Sequence, residues 1–147
     1  MKDKRDKKDK FFIDTNIIVY IFDKNNKDKQ EKAQNILRQA IDSLNGIISF
    51  QVVQEFCSVA LSKFEVPLST SDCRIFINKF LYPLCYIFPT LELYNKAIDI
   101  KETTNYGFYD CLIIASALEG DCTVLYSENF NNHEEIGKMK IVNPFSV

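Results

Sequence analysis

The stretch FFIDTNIIVY, residues 11–20, decides how the chain is interpreted. Seven of its ten residues are apolar or aromatic, and Asp14 lies among them. Burying an ionised carboxylate is costly unless a hydrogen-bonding or charged partner accompanies it. No Lys or Arg occurs between Lys10 and Lys24, so this stretch contains no cation for Asp14. The run FFI predicts a short buried strand that ends at Asp14, with a short helix beginning near Asn16.

Further along the chain, short apolar runs alternate with segments of helical periodicity. This alternation is typical of a parallel sheet covered by helices on both faces. The later strands are expected at residues 46–50, 84–88, 122–126 and 139–143. The later helices are expected at residues 28–44, 51–63, 70–82, 90–104 and 108–119. We predict a three-layer α/β/α domain with a central, mostly parallel sheet of four or five strands.

The composition indicates one soluble domain behind a charged leader. The first ten residues, MKDKRDKKDK, contain six basic and three acidic side chains and no apolar signal segment. We expect a disordered leader over residues 1–10 and a single domain over residues 11–147. The leader has a charge of +3 in a chain of net charge −2, so the domain lacks the basic surface of a general nucleic-acid binder. No apolar run approaches the roughly 20 residues that span a bilayer, and we expect a cytoplasmic location.

Polar and acidic side chains occur where the expected strands end. They are Asp14 after the first strand, Glu55 on the helix after the second, Asp110 on the helix before the fourth, and residues 127–129 after the fourth. Ligands of open parallel sheets bind beyond the carboxyl ends of the strands, so these groups should lie together. Carboxylates collected there repel one another, and burial raises their pKa values. A cation such as Mg²⁺, which prefers oxygen ligands, removes both costs. The hypothetical partner of Asp14 is therefore a metal ion.

Each of these residues also has a structural interpretation. Asp14 is a favourable N-cap for the helix that follows it. Glu55 lies at the edge of the apolar stripe of its helix, and an acid such as Asp110 at a helix start is favourable to the helix dipole. Glu128 and Asn129 would by themselves be ordinary turn residues. No single position decides between the two interpretations, whereas the set as a whole indicates a metal site.

Four motifs in order make the chain resemble the PIN-domain family, in particular the VapC-type toxin ribonucleases of toxin-antitoxin pairs. The motifs are FFIDTN, SFQVVQEF, YGFYDCLIIASAL and TVLYSEN, and the chain closes with IVNPF. The resemblance covers nearly all of the chain beyond the leader. It implies that Asp14, Glu55 and Asp110 are the acids of the family's site. There is one departure, since Asn129 stands where many relatives have Asp.

The resemblance implies a metal-dependent endoribonuclease that hydrolyses RNA phosphodiester bonds. Asp14, Glu55 and Asp110 would be the catalytic residues and would hold Mg²⁺ or Mn²⁺, directly or through water. The ion would make its bound water more acidic and neutralise the charge that develops on the phosphate. The family also implies a cognate antitoxin partner, a homodimer and no association with a membrane.

Four further residues are expected to support the site: Thr15, Asn16, Ser127 and Asn129. Thr15 and Ser127 either orient a carboxylate or phosphate or only cap local turns. Asn16 matches the family's helper residue, unless it is only the N-cap of the short helix. Asn129 can accept a hydrogen bond through its amide oxygen but adds no charge, and Glu128 beside it is expected to point elsewhere. The alternative function is therefore a non-catalytic PIN module that binds RNA or protein with a weakened metal site.

Residues for RNA binding remain open at this point. Four lysines either steer a phosphate backbone or form a solvated helix face. Three aromatic side chains near Asp110 either stack on bases or pack in the core. These residues are Lys24, Lys27, Lys29 and Lys32, and Tyr106, Phe108 and Tyr109. A phosphatase or a signalling receiver is disfavoured, because the first strand is not followed by Asp-x-Asp and the third, LCYIFPT, has no acid.

Overall fold

The computed structural model describes residues 10–146, and within them six strands form one sheet. The strands are β1 (Phe11–Ile13), β2 (Gly46–Ser49), β3 (Cys85–Ile87), β4 (Val124–Tyr126), β5 (Glu135–Ile136) and β6 (Met139–Val142). Their order is β3-β2-β1-β4-β6-β5, and every neighbouring pair is parallel except β5 and β6. The predicted mostly parallel sheet is confirmed. β5, a two-residue strand antiparallel to β6, was not predicted.

Helices flank the sheet and complete the predicted three layers. They are α1 (Thr15–Tyr20), α2 (Lys27–Ser43), α3 (Phe50–Ser62), α4 (Thr70–Phe76), α5 (Leu91–Thr103) and α6 (Phe108–Glu119). The helix predicted over residues 70–82 is wrong in its second half. After Phe76 the chain forms a π-helical turn at Ile77–Leu81 and then a 3₁₀ turn at Tyr82–Leu84. Pro83 lies in the first turn of that 3₁₀ helix, where its missing N–H leaves no hydrogen bond unmade.

The core is formed by β1, by α6 and by a group of phenylalanines. All three residues of β1 are buried, as are the consecutive α6 residues 111–117. The ring of Phe22, just after α1, lies 4.9–5.7 Å from the rings of Phe56, Phe64 and Phe76. This packing joins α1 to α3 and α4, so the residues that follow β1 have a rigid support.

α2 lies very close to β2. A Cβ atom added at Gly46 would be 2.2 Å from the Cβ of Ala40, so only glycine allows this approach. The helix predicted over residues 28–44 ends at Ser43, and β2 begins at Gly46. The left-handed conformation at the end of α2 is adopted by Leu44, with φ of 61°.

Lys10 is attached to the fold, whereas the rest of the predicted leader, residues 1–9, lies outside the described residues. The Lys10 carbonyl accepts a hydrogen bond from the Thr123 N–H at 2.9 Å, and Lys10 Nζ donates to the Gly120 carbonyl at 3.4 Å. In the part of the chain that the structure describes, none of the helices has the length and apolar character needed to cross a bilayer.

Candidate active site

Asp14 lies where the sheet changes its strand order. β1 has β2 on one side and β4 on the other, and both pairs are parallel. Ligands of open parallel sheets bind beyond the carboxyl ends of the strands at such a point. Asp14 directly follows β1, its N–H donates to the Tyr126 carbonyl at 3.0 Å, and the residue is 3% exposed. The fold therefore places this acid where a ligand is expected.

Two hydrogen bonds hold the Asp14 carboxylate. Its Oδ1 accepts from the Thr15 backbone N–H at 2.7 Å, which makes Asp14 the N-cap of α1. Its Oδ2 accepts from Ser127 Oγ, also at 2.7 Å. Within residues 10–146, Asp14 forms no ion pair. Asp14 is therefore a helix cap, as one interpretation had it, and it is also a buried acid that no cation of the described chain neutralises.

All three predicted acids line one cleft of about 350 Å³. Glu55 reaches it from α3, and Thr15 Oγ1 donates to Glu55 Oε1 at 2.8 Å. Asp110 reaches it from the first turn of α6. Thr15 thus orients the carboxylate of Glu55 through its side chain and that of Asp14 through its backbone. Side chains that are far apart in the sequence converge on a common acidic cleft.

The acids influence one another electrostatically. Burial raises the pKa of Asp14 from 3.8 to about 6, while the hydrogen bonds from Ser127 and Thr15 oppose this rise. The negative charges of Glu55 and Asp110 raise the pKa of Asp14 further. Burial also raises the pKa of Asp110. A cation in the cleft would favour the ionised form of these carboxyl groups.

The donor set fits a hydrated cation better than a directly ligated one. Among the described residues, no three His, Cys, Asp or Glu side chains lie close enough together to hold one ion directly. Mg²⁺ usually keeps several waters and is bound through one or two carboxylates, so these acids could hold it partly through water. Gln51 of α3 supports the same conclusion, since its Oε1 is buried at this cleft and accepts no hydrogen bond from the described residues. A water bound to the ion would donate to such an acceptor.

Gln51 is the residue that the sequence analysis missed. Its Nε2 donates to the Tyr109 carbonyl at 3.2 Å, which fixes the side chain between α3 and α6. The available signal was its position four residues before Glu55, since residues four apart share a helix face. A polar side chain on the face of a candidate metal ligand was therefore visible in the sequence.

Asn16 joins the start of α1 to the segment that follows β4. Its Nδ2 donates to Ser127 Oγ at 3.3 Å, and its Oδ1 accepts from the Glu128 N–H at 3.2 Å. The Asn129 N–H also donates to Ser127 Oγ, at 3.1 Å. Ser127 Oγ thus accepts two hydrogen bonds and donates its own proton to Asp14. The interpretation of Asn16 as the N-cap of α1 is wrong, because Asp14 occupies that position.

The side chains of Glu128 and Asn129, which follow Ser127, have different contacts. Asn129 is exposed and lines the cleft. Glu128 also forms part of the cleft wall, but its carboxylate contacts Tyr20 and Lys29. The Glu128 carboxylate is thus bound by groups other than the three acids, and that it points elsewhere stays a prediction. Its hydrogen bond raises the pKa of the Lys29 ammonium above the usual value.

The aromatic residues that were left open have different environments. Tyr106 packs edge-on against Phe130 at 4.9 Å and donates from its hydroxyl to Glu134, which is a structural role. Tyr109 is 67% exposed and lines the cleft, and Phe108 is 38% exposed. Core packing is therefore the wrong interpretation for Tyr109. Stacking on a base remains a prediction for it.

Comparisons with known proteins agree with the predicted resemblance. The family model described as PIN domain matches residues 11–138. Among solved structures, a toxin-antitoxin complex from Klebsiella pneumoniae superposes with a TM-score of 0.65 at 16% identity, over 92% of this chain and 98% of that one. VapBC2 from Rickettsia felis, bound to a DNA fragment from its promoter, gives 0.59 at 18% identity, over 89% and 96% of the two chains. At these identities the likeness concerns the fold. No curated protein matched the sequence.

Proposed function

The chain belongs to the PIN domain family, and on that premise we propose that it is a metal-dependent endoribonuclease, the toxin of a toxin-antitoxin pair. One observation supports this function above the others. Asp14 is buried, with no counterion among residues 10–146, in a cleft that it shares with Glu55 and Asp110. A fold that needed Asp14 only as a helix cap would have no reason to place two further acids beside it.

We assign the metal to Asp14, Glu55 and Asp110, partly through water. When bound, Mg²⁺ or Mn²⁺ supplies a more acidic water and neutralises the charge that develops on the scissile phosphate. Without a cation the raised pKa of Asp14 keeps part of its population protonated near pH 6. Asp14 in its ionised form is thus the ligand, and Ser127 and Thr15 hold it in that form by donating to its two oxygens.

The remaining residues position these acids. Thr15 keeps Glu55 directed toward the cleft through its side-chain hydroxyl. Asn16 and Ser127 keep the segment after β4 at the correct distance from Asp14. Asn129 lines the cleft with an amide oxygen that can accept a hydrogen bond from water or from substrate. Four carboxylates would bind metal more tightly than three, so we expect a modest metal affinity.

The proposed partners are RNA, a cognate antitoxin and a second copy of the chain, in the cytoplasm. Two solved structures that share the fold support an antitoxin partner. One is described as a toxin-antitoxin complex, and the other as VapBC2 bound to a DNA fragment from its promoter. RNA as the substrate and the homodimer follow from the family resemblance. The acidic cleft supports a phosphodiester substrate only when a cation is present, since phosphate and carboxylate otherwise repel.

Cleavage of structured RNAs in Mg²⁺ or Mn²⁺ tests the function. We expect the wild type to cut, EDTA to stop it, and Asp14→Asn and Asp110→Asn to lower the rate by about 100-fold or more. Asp99→Asn, which removes an exposed carboxylate of α5, is the matched control and should leave the rate unchanged. Equal cutting by wild type and the two site variants would indicate a contaminating nuclease and refute the proposal.

A non-catalytic PIN module is the second candidate, and it is favoured by Asn129 in place of the fourth acid. In that case an electrophoretic mobility shift would detect RNA or antitoxin binding, while no cleavage would occur with either metal. Asn129→Asp would then test whether the missing fourth acid is the cause, because it adds a carboxylate to Asp14, Glu55 and Asp110. Cleavage by this variant alone would identify a PIN domain whose activity was lost at this one position.

A further inference from the structure

Glu128 is a fourth acid in the wall of the cleft. Its carboxylate is already paired with other side chains. Lys29 Nζ lies 2.6 Å from Glu128 Oε2, and the Tyr20 hydroxyl donates to Glu128 Oε1 at 2.8 Å. Lys29 Nζ also donates to the Tyr20 hydroxyl at 3.2 Å. The three side chains thus form a closed set of hydrogen bonds that joins α1, α2 and the segment after β4.

The position of Lys29 is well defined by aromatic packing. Its ammonium lies 4.6 Å from the centre of the Tyr20 ring and 5.2 Å from that of Phe145, and these two rings pack edge-on at 4.9 Å. The side chains of Lys29 and Glu128 are each 28% exposed. Partly buried ion pairs are screened less than exposed ones, so this contact is stronger than a surface pair.

Lys32, one turn further along α2, shows the contrast. Among residues 10–146 its one ion pair is with Asp28, at 3.4 Å, and the side chains of Lys32 and Asp28 are 40% and 78% exposed. Exposed pairs of this i, i+4 type contribute little and restrict neither side chain strongly. Lys29 and Lys32 are thus the same residue type on the same helix. Of the two, Lys29 contacts the residues Tyr20 and Glu128 that line the cleft.

The backbone of Glu128 is held independently of its side chain. Asn16 Oδ1 accepts from the Glu128 N–H, and the neighbouring Ser127 donates to Asp14. Removing Lys29 would therefore take the counterion from the Glu128 carboxylate, leaving the Tyr20 hydroxyl as its donor, without displacing Ser127. A partly buried carboxylate without a counterion is unfavourable, so binding a new cation would lower its free energy. Because Glu128 already lines the cleft, a cation there is the nearest replacement.

We propose that Lys29 is a positioning residue that holds the Glu128 carboxylate away from Asp14, Glu55 and Asp110 and thereby limits the cleft to one divalent cation. This inference depends on the proposed metal-dependent function. Position 129 has an amide in place of an acid. The neighbouring acid, Glu128, does not replace it as a metal ligand, because Lys29 neutralises its charge.

Counting bound Mn²⁺ by electron paramagnetic resonance and by calorimetry tests this inference without reference to RNA cleavage. We expect one ion per chain for wild type and for Lys32→Met, and two for Lys29→Met. Glu128→Gln and the double variant Lys29→Met/Glu128→Gln should each bind one ion, because the released carboxylate is then missing. Lys29→Arg, which keeps the charge, should also bind one ion.

The outcomes separate the two levels of inference. One ion of unchanged affinity in Lys29→Met, with a native circular dichroism spectrum, would overturn the role of Lys29 and leave the nuclease proposal standing. The same holds if the double variant still binds two ions, because the second site would then not depend on Glu128. No Mn²⁺ binding by wild type would overturn the proposed function, and the role of Lys29 with it. If Lys29→Met does not fold, Lys29→Gln provides the same comparison.

Discussion

Replacing Asp14 by Asn should make the metal-free protein more stable at neutral pH. Burial raises the pKa of this carboxyl from 3.8 to about 6, so the folded state binds the proton more tightly than the unfolded state. Well below pH 3.8 both states are protonated and the difference has no effect. As the pH rises from 4 to 6 the unfolded chain loses its proton first, and the free energy of unfolding falls. An amide at this position cannot titrate, so Asp14→Asn escapes this loss.

The magnitude follows from the difference between the two pKa values. Each pKa unit corresponds to about 1.4 kcal/mol, so a rise from 3.8 to about 6 amounts to roughly 3 kcal/mol above pH 6. The amide has a single acceptor oxygen, so it keeps only one of the two hydrogen bonds from Ser127 and Thr15, and this loss costs about 1 kcal/mol at every pH. Asp14→Asn should therefore be about 0.5 kcal/mol less stable than wild type at pH 4 and about 2 kcal/mol more stable at pH 7.

Urea unfolding in EDTA, followed by circular dichroism between pH 4 and pH 7.5, measures this difference. Asp99→Asn, an exposed site on α5, controls for the loss of a surface carboxylate and should differ from wild type by no more than about 0.5 kcal/mol. Mg²⁺ should then stabilise wild type at pH 7 and leave Asp14→Asn unaffected. A stability difference between Asp14→Asn and wild type that stays constant across this pH range would refute the view of Asp14 as an uncompensated buried acid.

Two further changes test the surroundings of the site. Ser127→Ala removes the hydroxyl that donates to Asp14, so it should destabilise the protein by about 1–3 kcal/mol. It should also raise the pKa of Asp14 further, because that hydrogen bond lowers it. Urea unfolding measures the loss of stability, and an NMR titration of the Asp14 carboxyl measures the pKa. Gly46→Ala places a Cβ 2.2 Å from that of Ala40 and should cost about 1–3 kcal/mol in the same unfolding assay. Gly107→Ala, where no atom lies within 4 Å of the new Cβ, should cost less, and equal losses at both glycines would contradict the close packing of α2 on β2.

The parts of the fold that depend on local pattern were predictable. α6 was predicted at Phe108–Glu119 and is found there, because its residues are apolar on nearly every side and Gly120 follows them. β1 was predicted for the same kind of reason, as three apolar residues before Asp14. β5 was not, because Glu135–Ile136 is too short to show alternation. It is defined by its antiparallel pairing with β6, in which Glu135 lies opposite Lys140 and Ile136 opposite Met139.

The candidate site was predictable in its residues but not in their partners. The positions of Asp14, Glu55 and Asp110 follow from where strands end and helices begin. Helical periodicity gave Glu55 only a boundary position, since its contact with Thr15 spans 40 residues. Lys29 was treated as one of several lysines on a helix face, and its contact with Glu128 spans 99 residues. Contacts of this kind arise from the tertiary fold, and a single sequence contains no local signal for them.

The central place of β1 has a consequence for how the protein is made. Among the strands β1 is synthesised first, yet its neighbour β4 is the fourth strand, and Ser127, which donates to Asp14, follows that acid by 113 residues. A nascent chain that still lacks this segment has neither the second wall of the cleft nor the hydroxyl that supports the carboxylate. The cleft of a nascent chain would therefore form only after the segment that follows β4 has left the ribosome and packed beside β1.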